Sequence, residues 1–306
     1  LDISENDVMN FDKNIFLKLL NLKTLRSSDY KFCCIKSCTV TMCLPKADVF
    51  SSCTDLMANE ILRFLLWVMG ALSLLGNAIV IGVRIRSKGQ NKVQSYLISN
   101  LAGTDMLMGV YLLTIAGADI TYRGRYIEVD NEWRLSSTCN FAGIGATTSS
   151  LASLMILLLI TFNIFRAIVL PYNSFRLKMK FAITTTVAIW LLAFILALIP
   201  TVYFPYFKGE YYGRSTVCLP LHITSEKHRG WMYSFLSLTI IPAVATIFLL
   251  ISYGWMFLTI SKSTTSAGVA QSRNVRTFRQ MFVIVLTDLC CWLPVCILGE
   301  LSRSII

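Results

Sequence analysis

Six stretches of this chain are too apolar and too long for a soluble fold. They run over residues 61–83, 96–118, 139–165, 181–203, 232–260 and 281–298. Each is near the roughly 20 residues that carry an α-helix across a bilayer core. Charged residues make up only 15% of the sequence and apolar ones 55%, where a soluble domain carries about 25% charge. Inside lipid no water satisfies a backbone N–H or C=O, so each run is read as a helix. A large soluble helical core is the alternative, and it cannot hide six such runs.

The net charge of +11 would suit a nucleic-acid partner, but its distribution excludes one. Between the first and second runs stand Arg84, Arg86, Lys88 and Lys92. Between the third and fourth stand Arg166, Arg176, Lys178 and Lys180, and between the fifth and sixth Lys262, Arg273, Arg276 and Arg279. These loops hold twelve basic residues and no acid. The alternate loops are mixed, with Arg123, Arg125 and Arg134 beside Glu128, Asp130 and Glu132. The positive-inside rule places the basic loops in the cytoplasm and the N-terminus outside.

Of ten cysteines, five precede the first run: Cys33, Cys34, Cys38, Cys43 and Cys53. Clustered outside the cell they read as a disulfide framework with one left over; a zinc site is the rival, with no histidine near. Cys290, Cys291 and Cys296 lie in the sixth run and read as small apolar residues. No leader stands out in "LDISENDVMNF", and both ends read as cut from something longer.

Three regions follow. Residues 1–26 carry Leu1, Ile3, Asn6, Val8 and Phe11, then Phe16, Leu19, Leu22 and Leu25 at three-residue steps. That is the rhythm of the last leucine-rich repeat of a solenoid, a strand and asparagine turn before a helical return; a chance amphipathic helix is the alternative. Residues 27–59 form a cysteine-rich, loop-like extracellular hinge. Residues 60–306 form the membrane domain.

Motifs in the membrane domain stand in a specific order. "LLGNAIV" places Asn77 in the first helix, and "SNLAGTD" places Asn100 and Asp105 in the second. Cys139 opens the third helix, Trp190 and Pro200 mark the fourth, and Cys218 lies in the second outer loop. "TDLCCWLP" gives Trp292 and Pro294 in the sixth. The domain resembles a rhodopsin-type G-protein-coupled receptor. "FCC" (32–34), "FSSCTDLM" (50–57), Asp288, "TYRGRY" (121–126), Trp133 and "YYGRSTVCLPL" (211–221) resemble the leucine-rich-repeat branch, and the relaxin-receptor-like members most. The implied fold is an all-α membrane bundle with six of seven helices present, preceded by the end of a solenoid and the hinge.

The resemblance assigns roles. A Cys139–Cys218 bridge pins the second outer loop to the third helix, worth about 4.5 kcal/mol at most on chain-entropy grounds. Cys53 bridges back to Cys33 or Cys34, tying the hinge, with Phe50 and Asp55, to the first helix. Asn77, Asp105 and Ser153 line a polar core, and the only cofactor expected is a sodium ion near Asp105; a protonated, hydrogen-bonded Asp105 is the plainer reading. An intramembrane carboxylate costs roughly 2.5–3.5 kcal/mol and faces the bundle. Asp288 is a second buried acid, tied to groups on a seventh helix. Trp292 and Pro294 read as a kinked hinge, with simple core packing open for Trp292.

The G-protein-facing end is unusual. Counting back from Pro171, the family's arginine falls on Ile164, its acid on Asn163 and its aromatic on Phe165; counting back from Asp288, the sixth-helix acid falls on Asn274. All three charges are missing together, which leaves no carboxylate unpaired. Arg166 lies about 3 Å further along the helix and about 200° round it, so it does not stand in.

The sequence thus reads as a receptor fragment. Its expected partners are an extracellular peptide or protein hormone captured by the repeats, a heterotrimeric G protein whose coupling is weak or atypical, and the lipid bilayer. A decoy or co-receptor that binds without coupling is the alternative. A transporter fits less well, because inverted repeats and broken-helix pairs are absent. No enzyme constellation appears, and the two histidines, His222 and His228, both fall in an outer loop.

Overall fold

The structure, a computed structural model, describes residues 1–4, 15–16, 18–27, 30–37, 39–44, 53–57, 59–86, 91–169, 177–202, 207, 211–219, 230–262, 278–279 and 282. Among them, five helices are long and apolar enough to cross a membrane. They are α2 (Glu60–Arg86), α3 (Lys92–Tyr122), α5 (Ser137–Val169), α6 (Met179–Leu198) and the helical run Trp231–Ser261. The sixth apolar run, 281–298, falls outside the described residues except at Phe282.

Most of these helices outrun their apolar stretches. Hydropathy marks only the hydrocarbon slab, while backbone hydrogen bonding continues into the headgroup layer. Asn91 shows how α3 gains an extra turn: its side chain caps the helix by accepting from the Val93 N–H at 3.2 Å. The fourth helix is shorter than its apolar run, which reaches residue 203. It ends at Leu198 because Pro200, two residues on, has no N–H to continue the ladder. In the fifth, Pro242 removes one helical bond, and the preceding Leu236–Ile240 opens into a π-helical turn. That turn separates α7 (Trp231–Phe235) from α8 (Ile241–Lys262).

α5 is the central post, packed against α3, α6 and α8, while α2 leans on α3. On α2 only Gly70 is fully buried; Leu62 and Leu66 pack against the outer cluster, while Ile61, Phe64, Leu72, Leu75 and Ile79 are exposed, as a lipid-facing helix requires. One buried cluster fills the inner half of the bundle, with Leu97, Ile156, Ile160, Ile164, Leu249 and Met256 among its members. A second fills the outer end.

Two regions are more ordered than the sequence implied. The first outer loop contains a helix, α4 (Tyr126–Arg134), entered through Gly124, whose φ of +75° is open to glycine at no steric cost. The hinge holds a helical turn, α1 (Lys31–Cys34), and a strand, β2 (Met42–Leu44). β2 pairs in parallel with β1 (Thr24–Arg26), and Asp2 forms a further parallel bridge to Arg26. Between the strands Leu25, Phe16, Phe32 and Val40 close a small core. The described residues around Phe16–Leu22 form turns, where the sequence suggested a helical return.

Candidate functional site

Four hinge cysteines are oxidised: Cys33 to Cys43 and Cys34 to Cys53. Thiolates that a zinc ion would need are therefore used up; Cys38 and Phe50 lie outside the described residues. The first bridge ties α1 to β2, and the second carries α1 directly to the segment preceding α2. That segment, Thr54–Met57, drops into the outer end of the bundle. Leu56 and Met57 are 0% and 1% exposed, among side chains from α2, α3, α4, α5 and the second outer loop. Two such burials stabilise the docked position by about 1.5–3 kcal/mol each.

Polar bonds fix the same segment. The Met57 N–H donates to Asp119 Oδ1 at 2.9 Å, and Arg63 Nε donates to Asp119 Oδ2. Arg63 Nη2 donates to the Met57 carbonyl at 2.9 Å and to Asp55 Oδ2 at 3.2 Å. The Gly124 N–H donates to Asp55 Oδ1 at 2.9 Å, and the Tyr126 N–H to the Thr54 carbonyl at 3.0 Å. One guanidinium and two carboxylates thus join hinge, α2, α3 and the α3–α4 turn. Asp119 is wholly buried, and burying a carboxylate is costly unless its lone pairs are met by donors such as these.

A second foothold sits beside it. Lys31 Nζ on α1 donates to Asn131 Oδ1 at 3.2 Å and stands 4.0 Å from Asp130. Asp130, 3% exposed, also pairs with Arg134 Nε at 2.8 Å. Burial pushes the neighbouring Tyr126 phenol well above its usual range, and the Asp130 carboxylate adds to the push.

The second outer loop lies against these elements. Cys139 and Cys218 are joined, and Cys218 takes a φ of 55°, a backbone region that a non-glycine residue occupies only when its surroundings impose it. Tyr111 and Trp133 donate to the Val217 and Thr216 carbonyls, each at 2.8 Å. Tyr211 and Tyr212 are buried. Tyr212 lies so close to α5 that a Cβ on Gly143 would meet its ring at 2.3 Å. Burial raises both phenols, Tyr211 to about 12, so they remain hydrogen-bond donors.

In the middle of the bundle, the Asn77 amide donates to the Ser73 carbonyl at 2.9 Å, and the Ser73 hydroxyl to the Asp105 carbonyl at 2.5 Å. Ser149 reaches the Thr104 carbonyl at 2.7 Å. Asp105 and Ser153 are half-buried. Among the described residues no group of three His, Cys, Asp or Glu side chains is placed to hold a metal.

At the inner end, Ile164 is 4% exposed and belongs to the inner core. Asn163 is half-buried. Phe165 meets Trp255 edge-on at 6.0 Å, and the Arg166 guanidinium lies over the Phe162 ring at 5.7 Å. Phe162 is exposed and Arg166 half-buried. Asn274, Asp288, Trp292, Pro294 and the three sixth-run cysteines lie outside the described residues, as do His222 and His228.

Arg63 and Asp119 were not singled out from the sequence. The signal was present: an arginine within the first apolar run and an acid one residue beyond the second.

A bundle of apolar helices, its outer loop bridged to the third helix and its N-terminal segment docked into its outer end, defines a membrane receptor scaffold. The sequence matches the 7 transmembrane receptor (rhodopsin family) over residues 76–302, and the chain belongs to that family. It is 42% identical to G-protein coupled receptor GRL101 of Lymnaea stagnalis over 293 residues, covering 95% of this chain and 26% of that protein. It is 32% identical to relaxin receptor 2 of Canis lupus familiaris over 300 residues (97% and 40%). Against relaxin receptor 1 of Mus musculus the identity is 34% over 288 residues (93% and 38%). The chain thus spans less than half the length of these relatives. It is a multi-pass protein of the plasma membrane.

Proposed function

We propose that this chain is the transducing part of a receptor for an extracellular peptide or protein hormone. The hormone is captured on leucine-rich repeats, the disulfide-braced hinge moves, and the Thr54–Met57 segment works the helices. The observation that carries this reading is the docked segment itself. Cys34–Cys53 makes α1 and the segment move together, and Asp55, Arg63 and Asp119 make the segment and the tops of α2 and α3 move together. The parallel ladder supports the repeat assignment: Asp2 and Arg26, 24 residues apart, stand side by side, a step within the roughly 20–29 residues of a leucine-rich repeat. The hormone class follows from the relaxin receptors among the relatives.

The experiment is nucleotide exchange on a panel of heterotrimeric G proteins, in membranes carrying the full-length receptor with and without Leu56→Ala and Met57→Ala. Exchange that shifts on substitution, at equal surface density, supports a transducing segment. Equal exchange in all three proteins overturns it. Buried Ile164 supports the second reading, capture without coupling, and no exchange by any receptor form would favour it.

The polar core is proposed to take a sodium ion held by Asp105 with Asn77 and Ser153. Sodium in place of choline should then raise the thermal midpoint of the native receptor and leave that of Asp105→Asn unchanged. An equal sodium response from both would remove the site.

A further inference from the structure

Two aspartates are buried at the outer end, and they are served differently. Asp119 is met on both oxygens, by the Met57 N–H and by the Arg63 guanidinium. Asp130 on α4 is almost as enclosed, and a carboxylate offers about four lone-pair positions to donors. Among the described residues neither of its oxygens accepts a hydrogen bond. The buried hydroxyl of Tyr126, one turn earlier on the same face of α4, meets no partner either. Two cations balance the charge of Asp130 without filling those positions. Arg134 brings its Nε to 2.8 Å, off the line that a hydrogen bond needs. Lys31, from α1 of the hinge, is held more loosely. Its ammonium donates to Asn131 Oδ1 at 3.2 Å, stands 4.0 Å from Asp130 and lies 5.7 Å from the centre of the Phe32 ring. A cation shared in this way gives up the acid at small cost, because the amide and the ring still hold it.

From this arrangement we infer that Asp130 and Tyr126 form a docking site, between α1 and α4, for a guanidinium side chain presented by an extracellular peptide segment. A planar guanidinium donates two parallel hydrogen bonds to one carboxylate, where an ammonium acts as a point charge. It fills the Asp130 positions that Lys31 and Arg134 leave, and the Tyr126 oxygen accepts a further N–H. The site rests on the receptor reading above and gives the peptide a contact apart from the repeats. It also joins recognition to hinge movement. The incoming cation takes the place of Lys31 beside Asp130, which loosens α1 from α4, while Cys34–Cys53 still ties α1 to the segment docked in the bundle. The hormone and the receptor's own chain ahead of residue 1 are two sources of such a side chain, and the chemistry is the same for both.

The probes are N-acetyl-arginine amide and its neutral isostere N-acetyl-citrulline amide, added to the full-length receptor in membranes, with the thermal midpoint as the readout. The arginine amide should raise the midpoint, and the citrulline amide should leave it unchanged. Lys31→Gln removes the competing charge and should reach the same rise at a lower arginine amide concentration. Asp130→Asn should lose the rise. Lys31→Gln is read beside it so that a folding defect in Asp130→Asn does not decide the matter. A photoreactive benzoylphenylalanine in place of Asn131, which is half-buried, separates the two sources. A cross-link to the receptor's own chain ahead of residue 1 assigns the side chain to the receptor; a response to the arginine amide without that link assigns it to the hormone. Equal midpoints with both amides in the native and Lys31→Gln receptors, with no such link, overturn the site. So does a Lys31→Gln response that needs as much arginine amide as the native one, because Lys31 would then not compete. If the midpoints move as expected but nucleotide exchange changes neither with the arginine amide nor in Lys31→Gln, the site stands and the transducing reading falls.

Discussion

At the outer end of the bundle, one arginine, Arg63, touches Asp119, Asp55 and the Met57 carbonyl. At the inner end, the arginine nearest the family's cytoplasmic cluster, Arg166, lies over a phenyl ring on its own helix. The same residue type is a junction between segments in one place and stacks on a ring of its own helix in the other. The difference follows from what each end joins. The outer end receives a segment of backbone whose N–H and C=O groups must be met once buried, and charged side chains with several donors and acceptors meet them. The inner end joins helices whose backbones are already satisfied, so isoleucines and aromatic rings suffice to hold them. Hydrogen-bond geometry sets the arrangement at the outer end, and packed apolar contacts hold the inner end.

The sharpest way to break the outer junction is Asp119→Ala. It leaves the Arg63 guanidinium without its buried partner and the Met57 N–H without an acceptor. The expected loss is about 3–5 kcal/mol, read as a lowered thermal midpoint and reduced surface delivery of the full-length receptor. A midpoint within error of native would show that the ion pair is solvated and the segment not held by it.

Breaking the loop bridge with Cys218→Ser should cost about 2–5 kcal/mol and, with it, the unusual backbone of that residue. Thermal melting reads it, and peptide mapping without reductant reads the bridge. Free thiols on both Cys139 and Cys218 in the native protein would contradict the structure directly.

Gly143→Ala is gentler. The added methyl meets the Tyr212 ring and the Cys218 carbonyl, and overpacking of this kind costs about 1–3 kcal/mol. Tyr212 must move, so protease access to the second outer loop should rise; unchanged access would mean that the loop stands off α5. Lys31→Ala should matter least. Its ion pair with Asp130 is 4.0 Å long, and Asp130 keeps the closer Arg134 at 2.8 Å, so the loss should stay well below that of Asp119→Ala. A loss as large as that of Asp119→Ala would make the two footholds equal and erase the contrast between a primary and a secondary one.

The sequence made the bundle legible because lipid imposes one requirement on every spanning residue: an apolar surface with an internally bonded backbone. That requirement shows in Ile61, Phe64 and Leu72 as directly as in the whole run. The outer junction was less legible. Asp55 stood out within "FSSCTDLM", but Arg63 and Asp119 read only as stray charges at run ends, since their meaning depends on a contact 56 residues away in sequence. The hinge pairing was open between Cys33 and Cys34, because neighbouring cysteines have the same local pattern and only the fold separates Cys33–Cys43 from Cys34–Cys53. The contact between Tyr253 and Phe278 left no motif at all; both look like any other residues of an apolar stretch until the fold places their rings 5.5 Å apart.

The contrast between the two ends stands or falls on Ile164. Nucleotide exchange should be measured for a panel of G proteins in membranes bearing the full-length receptor, native, with Ile164→Arg, and with Asn163→Asp added. The account predicts low exchange from the native receptor, higher exchange from Ile164→Arg, and higher again when the aspartate steadies the new charge. Strong exchange from the native receptor, equal to that of Ile164→Arg, would contradict it and show that an apolar inner end couples as well as a charged one.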